Sequence, residues 1–135
     1  MRFVLDASIA ASWCFDDENE RVADIAFDML EAGYVAIAPL QFWFEVRNVV
    51  LVGLRRSRLT PDGMISALAR IDSATVAYDP LPESSRIVML ARRHRLSFYD
   101  AAYLELAKRE NMPLATLDQA LARAATAEGV PLVGA

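Results

Sequence analysis

The chain is poor in the side chains that most often carry thiol, redox or imidazole chemistry. Its 135 residues include one cysteine, one histidine and one lysine. Cys14 alone cannot close an internal disulfide, which fits a reducing compartment; it reads as a small buried residue. His94 lies in Arg92-Arg93-His94-Arg95 and reads as part of a solvated basic segment, not as a general base. Five glycines and six prolines exclude a collagen-like or linker-like chain. Apolar runs are short: Val49-Val50-Leu51-Val52-Gly53-Leu54 is far below the roughly 20 residues of a membrane span. The apolar start Phe3-Val4-Leu5 is interrupted at Asp6, so no signal peptide is expected and a soluble cytoplasmic protein follows.

What the chain has is apolar bulk. Hydrophobic residues make up 55% and charged residues 24%, a balance that excludes disorder and suits one domain spanning residues 1–135. Short strand-forming runs alternate with helical ones. Phe3–Leu5, Val35–Ala38, Thr75–Tyr78, Pro113–Thr116 and Val130–Val133 read as strands. Helices are expected over Ala7–Cys14, Glu20–Ala32 with Gly33 as its stop, Leu40–Arg56, Thr60–Asp72, Pro82–Arg95, Ser97–Asn111, and from Asp118 onward. Thr60-Pro61 is a cap followed by proline at the first helical position, and Ser97 to Asp100 resembles a capping box. The alternation implies an α/β fold, a three-layer α/β/α sandwich around a mainly parallel sheet of about five strands.

In such sheets ligands bind beyond the carboxyl ends of the strands. Asp6 stands where the first strand ends, and Asp118 stands two residues past Thr116, where the fourth ends. Asp100 opens a helix, where backbone N–H groups favour an anion. Glu45 sits within Phe42-Trp43-Phe44-Glu45-Val46, and Asn48 shares its helix face. Asp100 and Asp118 taken singly read as helix caps; Asp6, at the end of an apolar strand, is harder to dismiss, although a turn aspartate is common there. A charge among the apolar neighbours of Glu45, however, calls for a partner. Four carboxylates brought together repel one another and raise their pKa values. A hard divalent cation with oxygen ligands, Mg²⁺ or Mn²⁺, relieves that repulsion.

Four segments, in order, resemble the motifs of PIN-domain nucleases. They are Val4-Leu5-Asp6-Ala7-Ser8; Pro39 with Glu45-Val46-Arg47-Asn48; Leu96-Ser97-Phe98-Tyr99-Asp100-Ala101-Ala102-Tyr103; and Leu114-Ala115-Thr116-Leu117-Asp118. Their order and the chain length resemble the small PIN proteins known as VapC toxins of type II toxin–antitoxin systems. The resemblance implies a Mg²⁺- or Mn²⁺-dependent ribonuclease with Asp6, Glu45, Asp100 and Asp118 as its acidic set. Ser8, Asn48 and Thr116 match polar positions that support those acids. Asp6 and then Asp100 are the foremost direct ligands, with Asp118 and Glu45 acting partly through water. The resemblance also implies a cognate VapB-like antitoxin and a homodimer. The alternative is a PIN nuclease of RNA maturation outside a toxin–antitoxin pair. A receiver-like phosphoacceptor domain would need a lysine beside the site, and Lys108 falls inside a predicted helix.

The formal net charge of −4 argues against RNA binding by bulk charge. Residues 1–31 hold eight acids and two bases, a net −6; the remainder holds ten acids and twelve bases, a net +2. Thirteen of the fourteen basic residues are arginine, including Arg47/Arg55/Arg56/Arg58 and Arg86/Arg92/Arg93/Arg95. Arginine suits bidentate phosphate contacts, so local RNA binding is expected at some of these. The aromatics Trp13, Phe15, Phe42, Trp43 and Phe44 are expected mainly in the core, with some free to line a groove for an antitoxin helix.

Overall fold

A computed structural model describes all residues, Met1–Ala135. The strands are β1 (Arg2–Leu5), β2 (Val35–Ala38), β3 (Val76–Tyr78) and β4 (Leu114–Ala115). The helices are α1 (Ala7–Ser12), α2 (Arg21–Glu31), α3 (Gln41–Arg55), α4 (Pro61–Ser73), α5 (Ser84–His94), α6 (Phe98–Arg109) and α7 (Gln119–Ala127). All pairings are parallel, in the order β3-β2-β1-β4. Phe3, Val4 and Leu5 are all fully buried. Successive strand residues point to opposite faces, so helices cover both sides of β1.

The sheet has four strands, one fewer than the sequence pattern suggests. Val130–Val133 contributes a single parallel bridge, Leu114 to Leu132. Leu114 donates to the Pro131 carbonyl and Val133 donates to the Leu114 carbonyl. Pro131 has no N–H to extend the ladder, and Gly134, at φ 82°, turns the backbone away. Helix starts follow local chemistry. The Thr60 hydroxyl accepts from the Gly63 amide, Ser97 from the Asp100 amide and Asp118 from the Leu121 amide. Gly33, at φ 96°, ends α2. No helix is long and apolar enough to cross a membrane.

The strand order fixes where chemistry can occur. The chain runs β1, β2, β3 in one direction across the sheet, then returns to lay β4 on the other side of β1. The connections from β1 and β4 therefore diverge and open a crevice at their carboxyl ends.

Away from that crevice, Glu128 ties three elements together. Its side chain is only 6% exposed and accepts from Lys108 at 2.5 Å and Arg93 at 2.8 Å, with His94 Nε2 at 2.6 Å. His94 is thus half-buried against a carboxylate, not part of a freely solvated run. The Lys108, His94 and Arg93 contacts hold the Glu128 carboxyl down to about 2. A depressed carboxyl stabilises the fold above its unfolded pKa near 4.5, and that contribution disappears as pH falls through about 2. Glu128→Gln is expected to lower stability by about 2 kcal/mol at neutral pH, discounted because Arg93 and Lys108 are half exposed. Urea unfolding of both proteins should show the gap narrowing below pH 4.5; a gap that stays constant to pH 2 would rule out the ionic origin.

Candidate active site

Asp6 is placed by the sheet and held by two hydroxyls. Its amide donates to the Ala115 carbonyl at 3.0 Å, a last rung of the β1–β4 ladder. It occupies the N-cap position of α1, yet its carboxylate caps no amide. Instead Oδ2 accepts from Ser8 Oγ at 2.6 Å and from Thr116 Oγ1 at 2.7 Å. Each hydroxyl is oriented in turn by a backbone amide: Leu117 N–H donates to Ser8 Oγ at 2.9 Å, and Asp118 N–H donates to Thr116 Oγ1 at 3.0 Å. With those lone pairs taken, both hydroxyl protons point at the carboxylate. Oδ1 accepts no hydrogen bond from the protein.

The other three acids arrive from three separate elements. Asp118 caps α7 through Oδ1, which accepts from the Leu121 amide at 2.9 Å. Asp100 lies in the first turn of α6, its amide capped by Ser97 Oγ at 3.0 Å. Gln41 Nε2 donates to the Tyr99 carbonyl at 3.1 Å and ties the start of α3 to the start of α6. Glu45 is half-buried one turn further along α3, and its Oε1 is buried with no hydrogen-bond partner.

These carboxylates sense one another. Burial raises the pKa of Asp6; the Ser8 and Thr116 hydroxyls oppose this, while Asp100 and Asp118 add to it. Burial and then Asp118 raise Asp100, with Ser97 opposing. Burial first, then Asp6 and Asp100, push Glu45 up to about 7, and the Tyr103 hydroxyl partly opposes them. None of the four acids forms a salt bridge: every ion pair of the chain, those of Lys108 and His94 included, joins other carboxylates.

A divalent ion fits this donor set. Hard carboxylate oxygens, mutual repulsion without a cationic side chain and the orphaned buried Oε1 of Glu45 all call for a cation. The side chains do not already enclose one, since no three stand in an ion-holding arrangement.

The supporting residues separate here. Ser8 and Thr116 join the cluster, whereas Asn48 is exposed and its side chain makes no hydrogen bond to it. Tyr103 is a member that the list of polar positions omits. It lies three residues after Asp100, on the same helix face, and ends the third motif segment; these were its signals in the sequence. Of the basic clusters, Arg47 pairs with Asp72 and stacks on Trp43 at 4.0 Å, and Arg58 pairs with Asp17 and Glu18. Arg86 pairs with Glu83 and Arg93 with Glu128, while Arg55, Arg56, Arg92 and Arg95 are exposed and outside any ion pair. Phe15 and Phe42 are core residues; Trp43 and Phe44 are exposed.

The sequence profile of the PIN domain matches residues 3–127. No curated protein matches the chain by sequence. Among solved structures, the chain is similar to PAE2754 from Pyrobaculum aerophilum, with a TM-score of 0.69 and 17% identity, covering 92% of this chain and 84% of that one. It is also similar to VapC20 of Mycobacterium tuberculosis, a sarcin-ricin loop cleaving toxin. There the TM-score is 0.58 and the identity 14%, with 90% of this chain and 94% of that chain covered. At these identities the likeness is one of fold.

Proposed function

Because this chain belongs to the PIN-domain family, a family of nucleases, we propose that it is a divalent-metal-dependent endoribonuclease. Its acidic set is Asp6, Glu45, Asp100 and Asp118, and it acts as a VapC-like toxin neutralised by a cognate antitoxin. What supports the proposal is that four carboxylates, one following β1, one each on α3 and α6 and one in the β4–α7 connection, lie within electrostatic reach of one another and pair with no cationic side chain. Mg²⁺ or Mn²⁺, when bound, supplies an acidified water and positive charge for the phosphoryl oxygens.

The chain's own residues do the rest. Asp6 and Asp100 would be the foremost residues to hold the ion. Asp118 and Glu45 would complete the acidic set around it. Ser8 and Thr116 favour the ionised form of Asp6 against the effect of burial and aim its carboxylate, since both donate to its Oδ2. The unpaired arginines Arg55, Arg56, Arg92 and Arg95 take RNA phosphates, so affinity is local and falls with salt. The chain length and the order of its four motifs, which resemble those of VapC toxins, favour the toxin reading over RNA maturation.

The antitoxin and the homodimer belong to this proposal. A groove of about 490 Å³, lined by Trp13, Phe27, Leu30, Tyr34, Val35 and Ile71, opens near the amino ends of β2 and β3. It is at the opposite end of the sheet from the acids, and an apolar helix face fits it.

Chelation tests the metal requirement. Cleavage of a structured RNA by purified protein should stop in excess EDTA and return on adding Mn²⁺ or Mg²⁺. Cleavage that survives EDTA would sink the metal-dependent reading.

A further inference from the structure

Tyr103 is a fully buried phenol whose hydroxyl has no hydrogen-bond partner. A buried tyrosine oxygen almost always finds one, and phenylalanine would fill the same space without stranding a polar atom. The oxygen therefore calls for an explanation beyond packing.

Its surroundings supply one. Tyr103 follows Asp100 by three residues on α6, and its hydroxyl lies within electrostatic reach of Asp6, Glu45 and Asp100, next to the Ala7 backbone. The hydroxyl faces the Glu45 carboxyl closely enough to favour its ionised form, yet neither Tyr103 Oη nor Glu45 Oε1 completes a hydrogen bond. A buried donor and a buried acceptor thus stand near each other, both unpaired. Two of the remaining acids have holders: Asp6 has Ser8 and Thr116, and Asp118 has the Leu121 amide. Asp100 is fixed through its backbone amide in the Ser97 cap, and among the four acids only Glu45 has a buried oxygen without a partner.

We propose that Tyr103 is a positioning residue, whose hydroxyl donates to the Glu45 carboxylate and holds it toward the other three acids when a divalent ion is bound. This rests on the metal-dependent reading of the acidic cluster. A phenol suits the role: the ring packs in the core while its one polar atom lies beside Glu45. A fixed partner of this kind typically changes metal affinity by about 10–100-fold.

The test compares wild type, Tyr103→Phe, Glu45→Gln and the double variant. Mn²⁺ affinity is measured by titration calorimetry, metal-free melting temperature by circular dichroism, and kcat and KM on one RNA. Tyr103→Phe should melt at or above the wild-type temperature without metal, because it removes a stranded hydroxyl. It should bind Mn²⁺ at least about tenfold more weakly and lose kcat with KM unchanged. In the double variant the tyrosine change should add nothing to the Glu45→Gln loss, since both act through one contact. A Tyr103→Phe protein that melts well below wild type without metal, or that matches wild type in Mn²⁺ affinity and kcat, overturns the role of Tyr103 alone. Wild type that takes up no Mn²⁺ overturns the metal reading and this role with it.

Discussion

Asp6→Asn is expected to reduce RNA cleavage by at least about 10²–10³-fold while leaving the protein folded. Asparagine has nearly the shape of aspartate, and its amide oxygen can accept the same two hydroxyl protons, at 2.6 Å from Ser8 and 2.7 Å from Thr116. What it lacks is charge. Without metal that loss is stabilising, because Asp6 is only 5% exposed and is repelled by Asp100 and Asp118. The variant should therefore melt at or above the wild-type temperature in EDTA and gain little when Mn²⁺ is added. In cells, expression of wild type should generate new RNA ends that are absent with Asp6→Asn, and growth arrest should follow the same division. Equal cleavage and equal toxicity from both proteins would falsify the assignment of Asp6.

The metal-free protein is expected to lose stability as pH rises from about 4.5 to 8, opposite to the usual behaviour of a protein with paired carboxylates. Burial and the charges on Asp6 and Asp100 raise Glu45 to about 7, above its ordinary 4.5. The folded state therefore holds a proton that the unfolded chain has released, so stability falls across that window and levels off above it. Discounted for the partial exposure of Glu45, a shift of that size corresponds to about 2 kcal/mol. Asp6 and Asp100 are raised too and act in the same direction. Below pH 4.5 the loss of the Glu128 contacts reverses the trend, placing the metal-free maximum in mildly acidic solution. Saturating Mn²⁺ should abolish the decline, since binding stabilises only the folded, ionised site. The same protons make Mn²⁺ affinity fall as pH drops below 7. Urea unfolding between pH 4.5 and 8, in EDTA and in Mn²⁺, measures this. A metal-free protein equally stable at both ends of the window would show that the carboxylates are not a repelling cluster.

Much of the fold was legible because the signals are local. Thr60-Pro61, Ser97 and Asp118 each announce a helix start by side-chain chemistry within three residues, and each does cap its helix. Phe3-Val4-Leu5 reads as a strand covered on both faces because three consecutive apolar residues leave no solvent side, and all three are fully buried. The last strand was less legible. Val130–Val133 has strand-forming residues, but whether they extend a ladder depends on Pro131 lacking an N–H and on the turn at Gly134. The polar residues divide in the same way. Ser8 and Thr116 lie within two residues of an acid and reach Asp6, whereas Asn48, with a comparable helical offset from Glu45, faces solvent. Glu128 gave no sign of its role, since Arg93, His94 and Lys108 lie 20 to 35 residues away in the chain.

The net charge of −4 shows the limits of composition. It weighs against RNA until the acids are located: eight lie in residues 1–31, and four of the chain's eighteen belong to the crevice. By itself the sequence determined that strands alternate with helices, that Asp6 and Asp118 follow strands, and that Asp100 opens a helix, because each is a matter of nearest neighbours. Only the tertiary structure decided that β4 pairs with β1, Val4 beside Leu114 and Leu5 beside Ala115. That pairing joins residues about 110 positions apart and brings Thr116 onto Asp6. It likewise decided that Glu45 and Tyr103 bury two unpaired polar atoms near each other, for burial is a property of packing and no spacing along the chain encodes it.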